Sequence, residues 1–225
     1  MFQPHFEILP RPQRALWREL AEVPRQFVLY GGTAVALRLG HRSSADFDFF
    51  SSERFGAEDL LHRLSFLKGA KILQNVAQTL SVAVERDEPV KLSFFGGLAL
   101  GRVGEPDITP DGVLSVASLL DLAGLKAAVV TQRAESKDYL DLLAILNSGV
   151  SLSSALAAAS AIYGCQYNPL LTLKALTYFG DGDLRKLSDK QKAWLVKLAS
   201  AQAPGLPVFS RLPGGLAASR PPRTS

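Results

Sequence analysis

Two hydrophobic periods divide the chain. As far as residue 117, short apolar runs alternate with turns. From Ser118 onward, apolar positions recur every three or four residues. Pro12 opens a helical pattern through Leu16, Leu20 and Val23, and Pro24 stops it. "QFVLY" is a short buried strand that runs into Gly31. "TAVALRLG" is a short helix closed by Gly40, and "ADFDFF" is the next strand. "GAEDLLHRLSFL" places Leu60, Leu61, Leu64 and Leu67 on one helical face. Three strand-like runs follow, "KILQNVA", "LSVAVER" and "VKLSFF". A turn of Asp87, Glu88 and Pro89 joins the last two as a hairpin. "GVLSVASLL" adds a further strand. Helices are then expected over 118–131, 136–147, 152–162, 168–178 and 188–201, with Ser188 or Asp189 capping the last.

The expected fold class is therefore α+β. A mixed α/β domain over 1–117 precedes a helical domain over 118–202 that completes the cleft, and a flexible basic tail covers 203–225. That tail holds five Pro and three Gly in 23 residues and is expected to be mobile.

Composition narrows the class. With 225 residues and 47% apolar content, the chain can bury a substantial core. No eighteen-residue apolar run and no basic-then-apolar leader is present, which points away from a membrane and towards the cytoplasm. The single cysteine, Cys165, cannot form an internal disulfide and is expected to be a small buried residue. The net charge is +4, but Arg211, Arg220 and Arg223 lie in an acid-free tail. Removing those three leaves +1 for the rest, which argues against a broad basic face. A local cluster of Lys174, Arg185, Lys186, Lys190, Lys192 and Lys197 remains in the helical half.

The chemistry concentrates in "GGTAVALRLGHRSSADFDFF", residues 31–50. Asp46 and Asp48 are two apart in a strand, so they share a face, roughly 6–7 Å apart at the backbone. Such a pair can hold two divalent cations about 3.5–4 Å apart, the spacing used in phosphoryl displacement. Magnesium takes one or two carboxylates plus substrate phosphates. Gly31, Gly32 and Thr33, at a strand-to-helix turn, bring backbone amides close to a triphosphate. Arg38 and Arg42 flank the motif, and Arg42, nearer Asp46, is the better phosphate ligand. Taken alone, D-x-D also fits the wet face of an edge strand.

These residues, with His41-Arg42 and the phenylalanines around Asp48, resemble the first motif of the AbiEii/AbiGii toxin-type nucleotidyltransferases, within the DNA polymerase β-like superfamily. The resemblance implies a polymerase β-like core sheet with flanking helices, magnesium (one or two ions) held by Asp46 and Asp48, and an NTP substrate. It further implies transfer of an NMP to an acceptor hydroxyl, with tRNA as a possible acceptor, and a cognate antitoxin partner in a toxin–antitoxin or phage-defence pair.

"DLAGLKAAVVTQRAESKDYLDLLAIL" resembles the downstream motifs of the same family, with Lys126, Arg133, Lys137, Asp138 and Asp141 in the matching places. Lys126 flanks an apolar stripe of Leu122, Leu125 and Val129, from which its ammonium can reach a cleft. Asp138 and Asp141 share a helical face and can orient the lysine or a substrate hydroxyl. The plainer alternative is a surface ion pair between Lys137 and Asp141, four apart.

One departure stands out. The superfamily commonly carries a third carboxylate on a neighbouring strand, and in "PVKLSFFGG" the matching position falls on Ser93. Glu85, Asp87, Glu88 or Asp138 would have to substitute. Two other readings therefore stay open. One is a small-molecule nucleotidyltransferase. The other is a catalytically weak nucleotide- or partner-binding protein of the same fold.

Overall fold

The computed structural model describes residues 2–203 and 205–218. Arg220 and Arg223 of the basic tail lie outside the described residues. The chain divides into two units: residues 1–100 with 105–118 and 212–225, and residues 101–104 with 119–211.

The first unit is built on a seven-stranded mixed sheet in the order β3-β4-β5-β2-β1-β7-β6. The strands are β1 (Val28–Tyr30), β2 (Phe47–Phe50), β3 (Lys71–Val76), β4 (Thr79–Arg86), β5 (Glu88–Phe95), β6 (Asp107–Ile108) and β7 (Ser115–Val116). β1 and β2 pair antiparallel, β2 and β5 parallel, and β4 and β5 form the expected hairpin. The hairpin turn is tighter than expected. Arg86 pairs directly with Glu88 around Asp87, whose φ is 53°, so Glu88 and Pro89 are strand residues. The two-residue strand β6 carried no sequence signal, because it is too short for a period to show.

Alternation in the strands sets the core. Phe47, Phe49, Leu92, Phe94, Leu80 and Val82 fall on one face and are wholly buried. Phe94 stacks on Phe49 at 5.1 Å and meets Phe27 edge-on at 5.3 Å. Trp17, in the 3-10 stretch Trp17–Glu22 that follows α1 (Arg11–Leu16), lies 6.3 Å from Phe47, and its indole N–H donates to Asp111 at 2.7 Å. α2 (Gly31–Leu39) follows β1 at once and ends on Gly40, left-handed at φ 63°. Its Arg38 is a clamp: the guanidinium is 7% exposed, ion-paired to Asp107 at 2.7 Å, and donates to the carbonyls of Ala117 and Val116. Arg38 is thus committed to holding β6 and β7 to the helix. The third helix of this unit, α3 (Ala57–Arg63), is shorter than expected; Leu64 is extended and residues 65–67 form a 3-10 turn.

The second unit is helical: α4 (Leu119–Val129), α5 (Ser136–Asn147), α6 (Leu152–Tyr163), α7 (Pro169–Ala175) and α8 (Asp189–Ser200). α4 and α6 pack closely because Gly124 meets an alanine-rich face; a Cβ at 124 would lie 2.8 Å from the Ala159 nitrogen. The Thr172 hydroxyl donates to the Ala127 carbonyl at 2.7 Å, tying α7 to α4. Ser188 caps α8 in a full capping box with Gln191.

The tail departs from expectation in its described part. The Arg211 guanidinium donates to the carbonyls of Ala161 and Ile162. Leu216 is fully buried, and its amide donates to Ser52 Oγ at 3.1 Å. Among the described residues, Leu216 and Arg211 hold a segment that its Pro and Gly content suggested would trail. Cys165 is exposed rather than buried. No described helix is long and apolar enough to cross a membrane by itself.

The phenylalanine stack is the centre of the first unit. Phe94→Ala is expected to destabilise the protein by about 3–5 kcal/mol, measured by urea unfolding. A change below about 1 kcal/mol would remove Phe94 from the core.

Candidate active site

β1 delivers the chain into a left-handed residue. Gly31 has φ +71°, and a Cβ placed on it would lie 2.6 Å from Asp48 Oδ2. The register explains the contact, since Tyr30, the last residue of β1, pairs with Asp48 of β2. The Asp48 carboxylate therefore lies against bare backbone at the first residue of α2. Glycine is required twice over, for the backbone angle and for the space.

Asp46 differs from the expectation in detail. It precedes β2 rather than lying within it, and it is exposed, whereas Asp48 is half-buried. The backbone of Asp46 is held all the same. The buried Thr33 hydroxyl donates to the Asp46 carbonyl and lies 2.8 Å from Ser44 Oγ. The third residue of α2 thus fixes the approach to β2, and the Thr33 side chain is spent inside the protein. A nucleotide would meet the backbone amides of this turn. Arg42, partly exposed in the intervening loop, donates to the Ser43 carbonyl at 3.0 Å.

At the position paired with Asp48, β5 carries a serine rather than an acid. Asp48 pairs in register with Ser93, and Ser93 with Ser81. Both serines are buried, 3.2 Å apart between hydroxyl oxygens. Three of the proposed substitutes fail on distance. Glu85 is four residues along β4 from Ser81, about 13 Å at strand rise, while Asp87 and Glu88 lie further still, at the hairpin end, where Asp87 pairs with Arg11 at 3.0 Å. Among the described residues no group of three or more His, Cys, Asp or Glu is set to hold a metal. Asp46 and Asp48 suit magnesium by donor chemistry, with substrate phosphates and water supplying the remaining oxygens.

The second constellation lies within the helical unit. Lys126 Nζ is 2.7 Å from Asp138 Oδ1 and 2.7 Å from Asp141 Oδ2. The lysine side chain is 8% exposed and both carboxylates are wholly buried. Arg133 completes the set, its Nε 2.7 Å from Asp138 Oδ2. The surface pair of Lys137 with Asp141 does not form: Asp141 turns inward to Lys126, and Lys137 instead meets Glu135 at 2.9 Å. Burial pushes the Asp138 carboxyl up, but the Arg133 hydrogen bonds and the charge and hydrogen bond of Lys126 outweigh it, so the group titrates below its ordinary range. Sequence reasoning overlooked two acids that shape this unit. Asp121, 1% exposed, accepts from the amides of Val103 and Gly104. Asp183 accepts from the Ser136 amide at 2.5 Å at the start of α5, and that bond, with Lys186 and the Ser136 hydroxyl, holds it down at about 2. Each partner is remote in sequence, so no local signal marks the pair.

The sheet order, with its parallel β2–β5 pair, and the Gly-turn-to-aspartate contact define a nucleotidyltransferase core, and the comparisons agree. The profile of the family described as "Nucleotidyl transferase AbiEii toxin, Type IV TA system" matches residues 14–204. An uncharacterized protein of Aquifex aeolicus is 28% identical over 171 residues, which is 75% of this chain and 81% of that protein. A Helicobacter pylori structure assigned to the nucleotidyltransferases superposes with a TM-score of 0.55 at 19% identity, over 84% of this chain and 91% of that one. MenT4, a nucleotidyltransferase toxin of Mycobacterium tuberculosis, gives a TM-score of 0.50 at 15% identity, over 81% and 85% of the two chains. The fold class is that of the nucleotidyltransferases. The chain belongs to the AbiEii nucleotidyltransferase toxin family.

Gly31→Ala is expected to displace Asp48 and to destabilise the fold by about 1–3 kcal/mol through strain at positive φ, read by thermal unfolding and by loss of nucleotide transfer. Wild-type stability and wild-type transfer in that variant would contradict the contact. Lys126→Met is expected to cost about 3–5 kcal/mol, because it takes the ammonium away from two buried carboxylates, of which Asp138 keeps Arg133, and adding Asp141→Asn should recover part of it. The Asp138 carboxyl is lower folded than unfolded, so its stabilisation is complete above the ordinary carboxylate value. It is lost as pH falls through the folded value. Urea midpoints should therefore drop as pH falls below about 4, and less steeply in Asp138→Asn.

Proposed function

We propose that this enzyme transfers a nucleotidyl group from an NTP to an acceptor hydroxyl in a metal-dependent reaction, as the toxin of a bacterial toxin–antitoxin or phage-defence pair acting in the cytoplasm, with the 3′ end of tRNA as acceptor. The observation that carries this reading is the Asp48 carboxylate seated against Gly31 at the start of α2. In support of this reading, a carboxylate lies at the start of a helix, and a nucleoside triphosphate with its metal calls for both carboxylate oxygens and helix-start amides.

In this reading Asp46 and Asp48 hold magnesium, which when bound offsets charge on the triphosphate and on the leaving pyrophosphate. The amides of Gly31, Gly32 and Thr33 orient the phosphates, and Arg42 adds a cation. Lys126 neutralises developing phosphate charge, with Asp138 and Asp141 fixing where its ammonium sits. Positioning and electrostatics account for most of the barrier reduction in this class of chemistry. That is why the reading survives a serine at position 93. A cognate antitoxin is the expected protein partner.

A second reading has one specific observation behind it: the Ser93–Ser81 pair occupies the place beside Asp48 where a general base would serve. A nucleotide-binding protein with slow or no turnover would tolerate that pair.

Incubation with each labelled NTP, magnesium and total tRNA separates the two. Wild type should transfer label, and Asp46→Asn and Asp48→Asn should each lose about 10²–10⁴-fold, with EDTA abolishing transfer. Equal transfer by wild type and variants would remove the aspartates from the reaction. NTP binding without transfer to tRNA or to a small-molecule acceptor would establish the second reading.

A further inference from the structure

The helical unit contains a cavity of about 330 Å³ lined by residues 130–134, Tyr139, Leu171, Lys174, Ala175, Tyr178, Asp181 and Leu184. This is within the size range of small-ligand pockets, about 300–1,000 Å³. Its walls are the α4–α5 connection, the α7 helix and the 180–183 loop.

These walls are tied together before any ligand arrives. The Tyr139 hydroxyl donates to the Ala175 carbonyl at 3.2 Å and lies 3.5 Å from the Val130 carbonyl, so one side chain reaches both helical walls. Burial, and then the charges of Asp138 and Asp181, push the Tyr139 hydroxyl up to about 12, which keeps it a donor. Thr172 bonds α7 to α4, and the Asp183 amide donates to the Ala134 carbonyl, holding the loop. A preformed cavity does not charge its ligand the entropy of ordering the walls.

The lining is selective. Lys174 and Arg133 bring two cations to a recess with an apolar floor of Leu184 and Tyr139. Arg133 donates from both Nε and Nη2 to the Asp138 carboxylate, at 2.7 and 3.2 Å, which fixes where its guanidinium points. Tyr178, 57% exposed, contributes an aromatic ring to the lining. Asp181, exposed on the facing loop, is a hydrogen-bond acceptor. Two cations, an aromatic ring and a carboxylate match phosphate, base and ribose hydroxyls respectively.

We propose that this cavity binds a nucleoside monophosphate unit, with the phosphate between Lys174 and Arg133, the base on Tyr178 and the sugar hydroxyls at Asp181. The unit comes either from free nucleotide or from a single-stranded RNA. The site lies within the helical unit, and its test does not require turnover.

The test uses the full chain in EDTA, where metal-dependent nucleotide binding is silent. Binding of AMP and of a single-stranded RNA hexamer is measured by equilibrium dialysis. Photolabelling with 8-azido-AMP and peptide mapping then locates the contact. Wild type should bind at least one probe, with label on the segment 171–181. Tyr178→Ala and Lys174→Glu should each weaken binding about five- to 150-fold, the range for losing a stacked base or a phosphate contact, while Asp48→Asn leaves it unchanged. AMP binding on its own identifies a free-nucleotide site, and binding of the hexamer alone identifies RNA as the source; both support the proposal. Failure of both probes to bind, label mapping elsewhere, or equal competition by a polyglutamate peptide would overturn it.

Discussion

A carboxylate resting on a glycine backbone is the constraint around which the sheet unit is arranged. Residue 31 must be without a side chain, because Asp48 Oδ2 occupies the place where a Cβ would sit, and it must tolerate φ +71°. Both demands follow from the antiparallel register of β1 and β2, which opposes Tyr30 to Asp48. The register in turn depends on the phenylalanines that alternate with the aspartates, since Phe47 and Phe49 bury on the opposite face. A slip of one residue would bring the aspartates into the aromatic core and the phenylalanines to the glycine turn. The hydrophobic core and the candidate chemistry are thus set by the same alternation.

Charge is handled differently in the two units. Around Asp46 and Asp48 the acids sit in partly exposed positions. In the helical unit, Lys126, Asp138 and Asp141 form a buried cluster, and the half-exposed Arg133 brings it close to neutral. Such a cluster is poor evidence of stabilisation relative to an apolar core of the same shape, but breaking it is costly because a lone buried charge is left. That asymmetry gives Lys126 a fixed position as well as a charge, which suits a group asked to meet phosphate with little reorganisation. It also separates Lys126 from an ordinary surface lysine, whose position is averaged over many rotamers.

The absent third carboxylate is a matter of register too. Ser93 is beside Asp48, and Ser81 is beside Ser93, so two hydroxyls occupy the row where an acid would be. A hydroxyl pair can satisfy itself when buried, whereas an isolated acid there would need a cation or a proton.

Much of this was legible in the chain. The apolar alternation gave the strands, the three-to-four spacing gave the helices, Ser188 announced its capping box, and the paired glycines and aspartates pointed to the turn where Gly31 meets Asp48. These signals are local, and local physics reads them: pleat, helical pitch, and the steric freedom of glycine. What only the tertiary structure decided depends on residues distant in sequence. The inward turn of Asp141 to Lys126 rather than outward to Lys137, the commitment of Arg38 to Asp107, the burial of Leu216, the exposure of Cys165, and the row that puts Ser93 beside Asp48 all follow from which elements come to lie together. Spacing along the chain limits which partners a side chain can reach, and packing then selects among them, because burying an apolar group is worth more than a surface ion pair, and a charge that packing buries must be paired where it lies.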